Sequence, residues 1–278
     1  MQRKIVAGFR LLKSTGVRSF SKSLYERAAL KVRVYQRGRN KVVSLDGCHF
    51  PLRKLPNTSM KLELLSGGYE LPERVAARRY IKPDWGVVEL GGCIGVVACI
   101  TNKLLSDPKA HVVLELNPNA IPHLESNRET NHCSFKILHK ALAYDSEKVS
   151  FVPDPDYWMN FLHNESSRPA VTVGTTQLKA VLDQERFEKF AVICDIEGQE
   201  YELVMHEAES LRRAELIIME VHPGLIGRPK IETLLAKLAE LGFAIIERSA
   251  LVVVLENRAV PSTGGFNPQL ANPIGVPA

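Results

Sequence analysis

Val87-Val88-Glu89-Leu90-Gly91-Gly92-Cys93-Ile94-Gly95 is the stretch that decides the fold. A short β-branched run ends in an acid, turns on glycines, and continues into an apolar run, Val96 to Leu105, that reads as a helix. Strand, tight turn and helix open a nucleotide-type βαβ unit. Glycine at 91 and 95 lets the backbone approach a ligand where a Cβ would collide, and Glu89 puts a negative charge at the strand tip. The dinucleotide fingerprint G-x-G-x-x-G is absent. Counted from Gly91 it needs glycine where Cys93 and Val96 stand, and counted from Gly92 it fails at Ile94. The loop suits a nucleotide ligand without a pyrophosphate, and S-adenosylmethionine is the candidate.

Outward from this loop, strand and helix patterns alternate to the end of the body. The expected strands are 87–90, 111–116, 135–139, 190–194, 216–220, 243–247 and 251–255. Helices are expected over 71–80, 96–105, 120–131, 200–213 and 231–241, with another, preceded by Thr175/Thr176, running through Leu182. Residues 144–174, with Pro153, Pro155 and Pro169, read as a less regular section whose Tyr157, Trp158 and Phe161 either line a substrate lid or pack together. Only a short turn, 248–250, separates the last two strands. Parallel neighbours need a long crossover, so the seventh strand must run antiparallel to the sixth. The expected fold is α/β: a Rossmann-like, seven-stranded, mostly parallel sheet with an antiparallel last strand and helices on both faces. It divides into a basic extension (1–41), a strand and helix segment (42–85) with short strands around Leu45-Asp46-Gly47, the main domain (86–260) and a tail (261–278).

Net charge is +5 over 278 residues, but residues 1–41 carry 12 Lys/Arg against Glu26 alone. The body is therefore mildly acidic, which argues against a nucleic-acid groove in the core. Within residues 1–25, Ile5, Phe9 and Leu12 near helical spacing make a basic amphipathic helix. Such a segment serves as a solvated extension, a peripheral contact with anionic lipid, or an organellar presequence. Five cysteines without a C-x-x-C pair read as reduced thiols in the cytoplasm. No apolar run approaches the roughly 20 residues that cross a bilayer.

From about Tyr69 onward the chain resembles the FkbM family of S-adenosylmethionine-dependent methyltransferases of class I. Glu89 to Gly95 resembles that family's Asp-x-Gly-Ala-Asn-x-Gly, and Glu115-Leu116-Asn117-Pro118-Asn119 its Glu-Pro-Asn-Pro block. Lys140-Ala141-Leu142 is similar to an Ala-Leu after the third strand. Asp195-Ile196-Glu197-Gly198-Gln199-Glu200 is similar to Asp-Val-Glu-Gly-x-Glu, and Glu220-Val221-His222 to the end of the fifth strand. Glu89 and Cys93 depart from the family's commoner Asp and Asn.

The resemblance implies methyl transfer to a hydroxyl of a sugar, glycolipid or secondary metabolite; the alternatives are an RNA or protein methyltransferase, against which the acidic body argues, and a catalytically inactive cofactor-binding module. Glu115, 20 residues past Gly95, is placed to accept ribose hydroxyls. Glu89 is the candidate for the ligand's amino group, Gly91 and Gly95 for the turn, and Gly92 is read as merely permissive. Asn117 either supports Glu115 or caps the next helix, and the resemblance sets the backbone of Ala141 near the adenine. Asp195, Glu197 and His222 are the candidate bases for the acceptor proton. Asp195, Glu220 and His222 also form a metal-capable set, but without tight ligand spacing a divalent metal is not expected.

Overall fold

The computed structural model describes residues 41–55, 58–153 and 170–259. The basic extension before residue 41, the aromatics Tyr157, Trp158 and Phe161, and the tail from 261 lie outside the described residues.

The chain enters as a hairpin, β1 (Val42–Leu45) and β2 (Cys48–Pro51), paired antiparallel. Asp46 and Gly47 both have positive φ in its two-residue turn, the geometry that such hairpins favour. Helices α1 (Thr58–Ser66) and α2 (Leu71–Tyr80) follow. Asp46 is tied back to α2, where it accepts hydrogen bonds from Arg74 and Arg78. Arg74 is 2% exposed and also donates to the carbonyls of Tyr69 and Gly67 at 2.8 and 2.6 Å. The hairpin and α2 are thereby locked together against the main sheet.

That sheet begins with β3 (Gly86–Leu90), α3 (Val96–Asn102), β4 (His111–Glu115), α4 (Ile121–Thr130) and β5 (Lys136–His139). Three short strands then form a separate small sheet: β6 (Ala141–Leu142), β7 (Lys148–Phe151) and β8 (Val171–Thr176). This corrects the reading of 144–174 as a less regular section at 148–151 and 171–174, while 154–169 lie outside the described residues. Lys148 to Phe151 pair antiparallel with Val171 to Gly174, a contact between segments too far apart for local patterning to reveal.

Next come α5 (Leu178–Glu185), β9 (Phe190–Cys194), α6 (Glu200–His206) and α7 (Ala208–Leu211). The single helix expected over 200–213 is broken at Glu207. The Glu207 carboxylate accepts from the Lys179 amide at 3.2 Å and from the Ser210 hydroxyl at 2.6 Å. It thus satisfies an orphan donor in the first turn of α5. The chain finishes with β10 (Leu216–Glu220), α8 (Pro223–Ile226), α9 (Arg228–Glu240), β11 (Phe243–Ser249) and β12 (Val252–Asn257).

The seven strands of the main sheet run in the order β11-β12-β10-β9-β3-β4-β5. β12 lies antiparallel to both β10 and β11, and the pairings among β10, β9, β3, β4 and β5 are parallel. The expected fold is the observed one. Alternate residues serve opposite faces, as period-two geometry requires. Val88, Leu90, Val192 and Ile217 pack with Leu182, Leu203 and Leu234 of α5, α6 and α9. On the other face Val87, Ala191, Ile193 and Ile218 meet Ala76, Ala77 and Val97 of α2 and α3. Burying each large aliphatic side chain contributes about 1.5–3 kcal/mol, so both faces need their helices. Among the described residues no helix is long and apolar enough to cross a membrane, and all five cysteines are free.

Candidate active site

Strand order reverses at β3, which has β4 on one side and β9 on the other. Ligands of open α/β sheets bind at such a switch point, outside the carboxyl ends of the strands. A cavity of about 510 Å³ opens there, bordered by the ends of β3, β4, β9 and β10 and by the start of α2.

The loop after β3 crosses the end of β9 at close range. Gly91 has φ +91°, and a Cβ added there would overlap the Asp195 carbonyl oxygen. The Asp195 amide donates to the Leu90 carbonyl at 2.9 Å, which fixes this approach. Gly92 is more than permissive, because a side chain there would run into Val113. Gly95, with φ +81°, is the N-cap of α3 and stands against Leu124 rather than on the cavity wall.

Glu115 is the hinge of the loop's conformation. Its Oε2 accepts from the Cys93 amide at 2.7 Å and its Oε1 from the Asn117 amide at 2.6 Å. Burial pushes its carboxyl above the usual range, and the amides of Asn117, Cys93 and Leu116 pull it back. One carboxylate thus joins the β3 loop to the β4 loop and still lines the cavity. Of the two roles weighed for Asn117, the support of Glu115 is present, while the N-cap of α4 is Ala120, without a side-chain cap. The Asn117 amide serves Glu115, while its side-chain oxygen accepts from Asn119 and its carbonyl from Ala120 at the entry to α4. Ala141 is buried, with Lys140 and Leu142 on either side of it reaching the cavity.

Glu89 is not on the cavity wall. Strand alternation turns it toward the α2/α3 face, level with Val113 and Ile193 and one register position short of Leu90. There its Oε2 sits 3.4 Å from His111 Nε2, with both side chains buried. Burial raises its carboxyl, and His111 opposes that shift.

Asp195, Glu197 and His222 are brought together. His222 Nε2 lies 3.6 Å from Asp195 Oδ1 and 3.4 Å from Glu197 Oε2. On its other side Nδ1 pairs with Glu200 Oε1 at 2.9 Å, and the same oxygen accepts from the Gly198 amide. Burial disfavours the imidazolium, but Glu200, through its hydrogen bond and its charge, outweighs that with help from Asp195 and Glu197. His222 is pushed up to about 9. Burial raises Glu197 to about 7 despite the opposing His222, with Glu220 and Glu200 adding to the rise. Asp195 is lifted well above its ordinary value, mainly by burial and then by Glu220 and Glu197.

Three contributors escaped the sequence reading. Glu200 was within a quoted motif, three residues after Glu197, and that spacing was the available signal. Glu70, the N-cap of α2, and Glu73, in its first turn, look like solvated acids in sequence. Glu73 is 5% exposed, and burial together with Glu220 raises it to about 7. The cavity wall therefore carries seven carboxyl side chains against Lys140 and His222, a balance that favours a cationic ligand.

No family model matches the chain. Hexuronic acid methyltransferase AglP of Haloferax volcanii is 28% identical over 159 residues, covering 56% of this chain and 63% of that protein. The match thus spans less than two thirds of that relative's length. Among solved structures, ribosomal protein L11 methylase from Lactobacillus delbrueckii subsp. bulgaricus has a TM-score of 0.42 at 14% identity, with 68% of this chain and 77% of that one covered. Aeropyrum pernix fibrillarin in complex with natively bound S-adenosyl-L-methionine has a TM-score of 0.40 at 9% identity, with coverages of 67% and 74%.

Proposed function

We propose that the chain is an S-adenosylmethionine-dependent methyltransferase of the FkbM type, acting on a hydroxyl of a sugar, glycolipid or secondary metabolite. The observation that carries this reading is Glu115. A buried carboxylate binds the amides of two loops at the switch point and faces a cavity lined by Gly91 and an excess of acids. These residues fit the donor. Gly91, which passes too close to the Asp195 carbonyl for a side chain, lines the cavity, Glu115 offers lone pairs to ribose hydroxyls, and the acidic wall suits a sulfonium. The 28% identity to a hexuronic acid methyltransferase supports a sugar acceptor. A wall of carboxylates repels a phosphate backbone, which supports a small-molecule or glycan acceptor over nucleic acid.

Bound donor supplies an electrophilic methyl group, which the acceptor oxygen takes in line as the carbon–sulfur bond breaks and its electron pair stays on sulfur. Glu197, on the cavity wall, takes the hydroxyl proton. Asp195 and His222 flank it, and Glu200 holds the His222 ring from behind. Glu115 and the Gly91 turn orient the donor, the contribution that alignment makes to such displacements. Segment 42–85 belongs to the catalytic unit in this reading, since α2 builds one wall. Location in the cytoplasm, with lipid contact through residues 1–25, completes the proposal.

Calorimetry with S-adenosylmethionine and S-adenosylhomocysteine tests the donor site directly. Labelled methyl donor with a panel of neutral and uronate glycosides tests the acceptor. Folded protein that takes up neither donor nor product overturns the reading.

A further inference from the structure

Asp195, Glu220 and His222 each offer one ligand atom to a common point, all within 4.8 Å of one another. They stand at the ends of β9 and β10, on the wall of the cavity. Hard divalent cations hold oxygen ligands at about 2.0–2.6 Å, so atoms on opposite sides of such an ion are at most about 5 Å apart. The triangle is of that size.

A second observation, from a different element, points the same way. Glu73 reaches the cavity from α2 with its side chain buried, and its Oε2 has no hydrogen-bond donor in the protein. A buried acceptor left without a donor costs about 1–3 kcal/mol, more when charged. Its carboxyl lies against that of Glu220, and the nearby Arg74 charge offsets that crowding only in part.

The ring of His222 is also set as metal-binding imidazoles are. Glu200 Oε1 takes Nδ1 at 2.9 Å, leaving Nε2 turned toward Asp195 and Glu197. A carboxylate behind the ring that fixes tautomer and orientation is the usual second partner of a ligating histidine.

We infer that Asp195, Glu220 and His222 Nε2 bind a hard divalent cation of the Mg²⁺ or Mn²⁺ class, with Glu73 close by as a partner for metal-bound water. Two carboxylates and one imidazole suit those ions better than a thiol-seeking metal. The remaining positions are open to the cavity, where they accept paired oxygens of an acceptor, such as vicinal hydroxyls or a carboxylate and its neighbouring hydroxyl. The charge of the ion offsets part of the local excess of acid and so admits a uronate that the bare wall would reject. That last role rests on the methyltransferase reading; the ion site itself does not.

The test uses the full chain, stripped of metal with EDTA and titrated with Mn²⁺ alone, followed by the loss of the free-ion paramagnetic resonance signal. Donor uptake is measured by calorimetry on the same preparation. One tight site is expected, weakened at least tenfold in Glu220→Gln and in Asp195→Asn and unchanged in Glu232→Gln on the exposed face of α9. Circular dichroism confirms that each variant is folded. No Mn²⁺ uptake up to 5 mM by folded wild type overturns the site, as does uptake that neither Glu220→Gln nor Asp195→Asn reduces. Should either variant fail to fold, protection of wild-type His222 from diethyl pyrocarbonate by Mn²⁺ decides, and equal modification with and without the ion overturns the site. Mn²⁺ bound without donor uptake keeps the ion site and removes the methyltransferase reading. Donor uptake without Mn²⁺ does the reverse.

Discussion

Replacing Glu115 with glutamine separates the loop's architecture from its ligand. The wild-type carboxylate receives two backbone amides, from Cys93 at 2.7 Å and from Asn117 at 2.6 Å. Glutamine keeps one oxygen, so one amide retains an acceptor while the other faces an NH₂ donor. Leaving one buried donor unsatisfied costs about 1–3 kcal/mol. Removing a charge that burial already disfavours returns part of that, so a net loss of about 1–2 kcal/mol is expected. For a domain of this size that lowers Tm by roughly 2–8 °C. Glu115→Ala strands both amides and is expected to lose about 2–5 kcal/mol, enough to disorder the loop. Alanine alone would therefore confuse a missing ribose contact with a collapsed turn. Glutamine, still folded, is expected to weaken donor binding about 10- to 100-fold, the worth of one or two charge-assisted hydrogen bonds. Urea unfolding and calorimetry at a temperature well below both transitions supply the two readings. Glu115→Gln matching wild type in stability and in donor affinity would refute the claim that this carboxylate both builds the turn and grips the ligand.

Arg74→Ala removes the guanidinium that binds Asp46 and two carbonyls in a buried setting, and a loss of about 3–5 kcal/mol by chemical denaturation is expected. Gly91→Ala puts a Cβ into the Asp195 carbonyl at φ +91°; a loss of more than about 1 kcal/mol with donor binding abolished is expected, read by thermal melts and calorimetry. Glu73 has a folded value near 7 against about 4.5 ordinarily. A raised carboxyl means the folded state holds its proton more tightly. Its contribution is thus fully present below about pH 4.5 and lost as pH rises through 7. Glu73→Gln removes that loss, so the variant gains about 1–3 kcal/mol on wild type at pH 8 and little at pH 4.5, measured by urea titration at both. Glu197→Gln is expected to slow methyl transfer about 10²- to 10⁴-fold with donor affinity within twofold of wild type; an unchanged rate assigns the proton to another group.

Much of this architecture was readable one segment at a time. Short, nearly continuous apolar runs at 87–90, 111–116, 190–194 and 216–220 announced strands buried on both faces. The glycine turn after Leu90 announced a ligand loop, and the three-residue turn at 248–250 required an antiparallel final pair. Those signals are local, arising from side-chain period, turn chemistry and the length of chain needed for a crossover. Asp195, Glu197 and His222 were legible because each ends or follows a strand whose carboxyl edge was already known.

Strand order and side-chain facing are set by contacts between distant segments, and only the tertiary structure decided them. It inserted β12 between β10 and β11, paired 148–151 with 171–174, and broke the helix at Glu207 to serve α5. It turned Glu89 beneath the sheet toward His111 and raised Glu73 from an ordinary-looking helix into the cavity beside Glu220. Sequence determined which residues end strands. Packing of α2 across the sheet edge determined which carboxylates share one low-dielectric space, and therefore which of them hold protons, a donor or a cation.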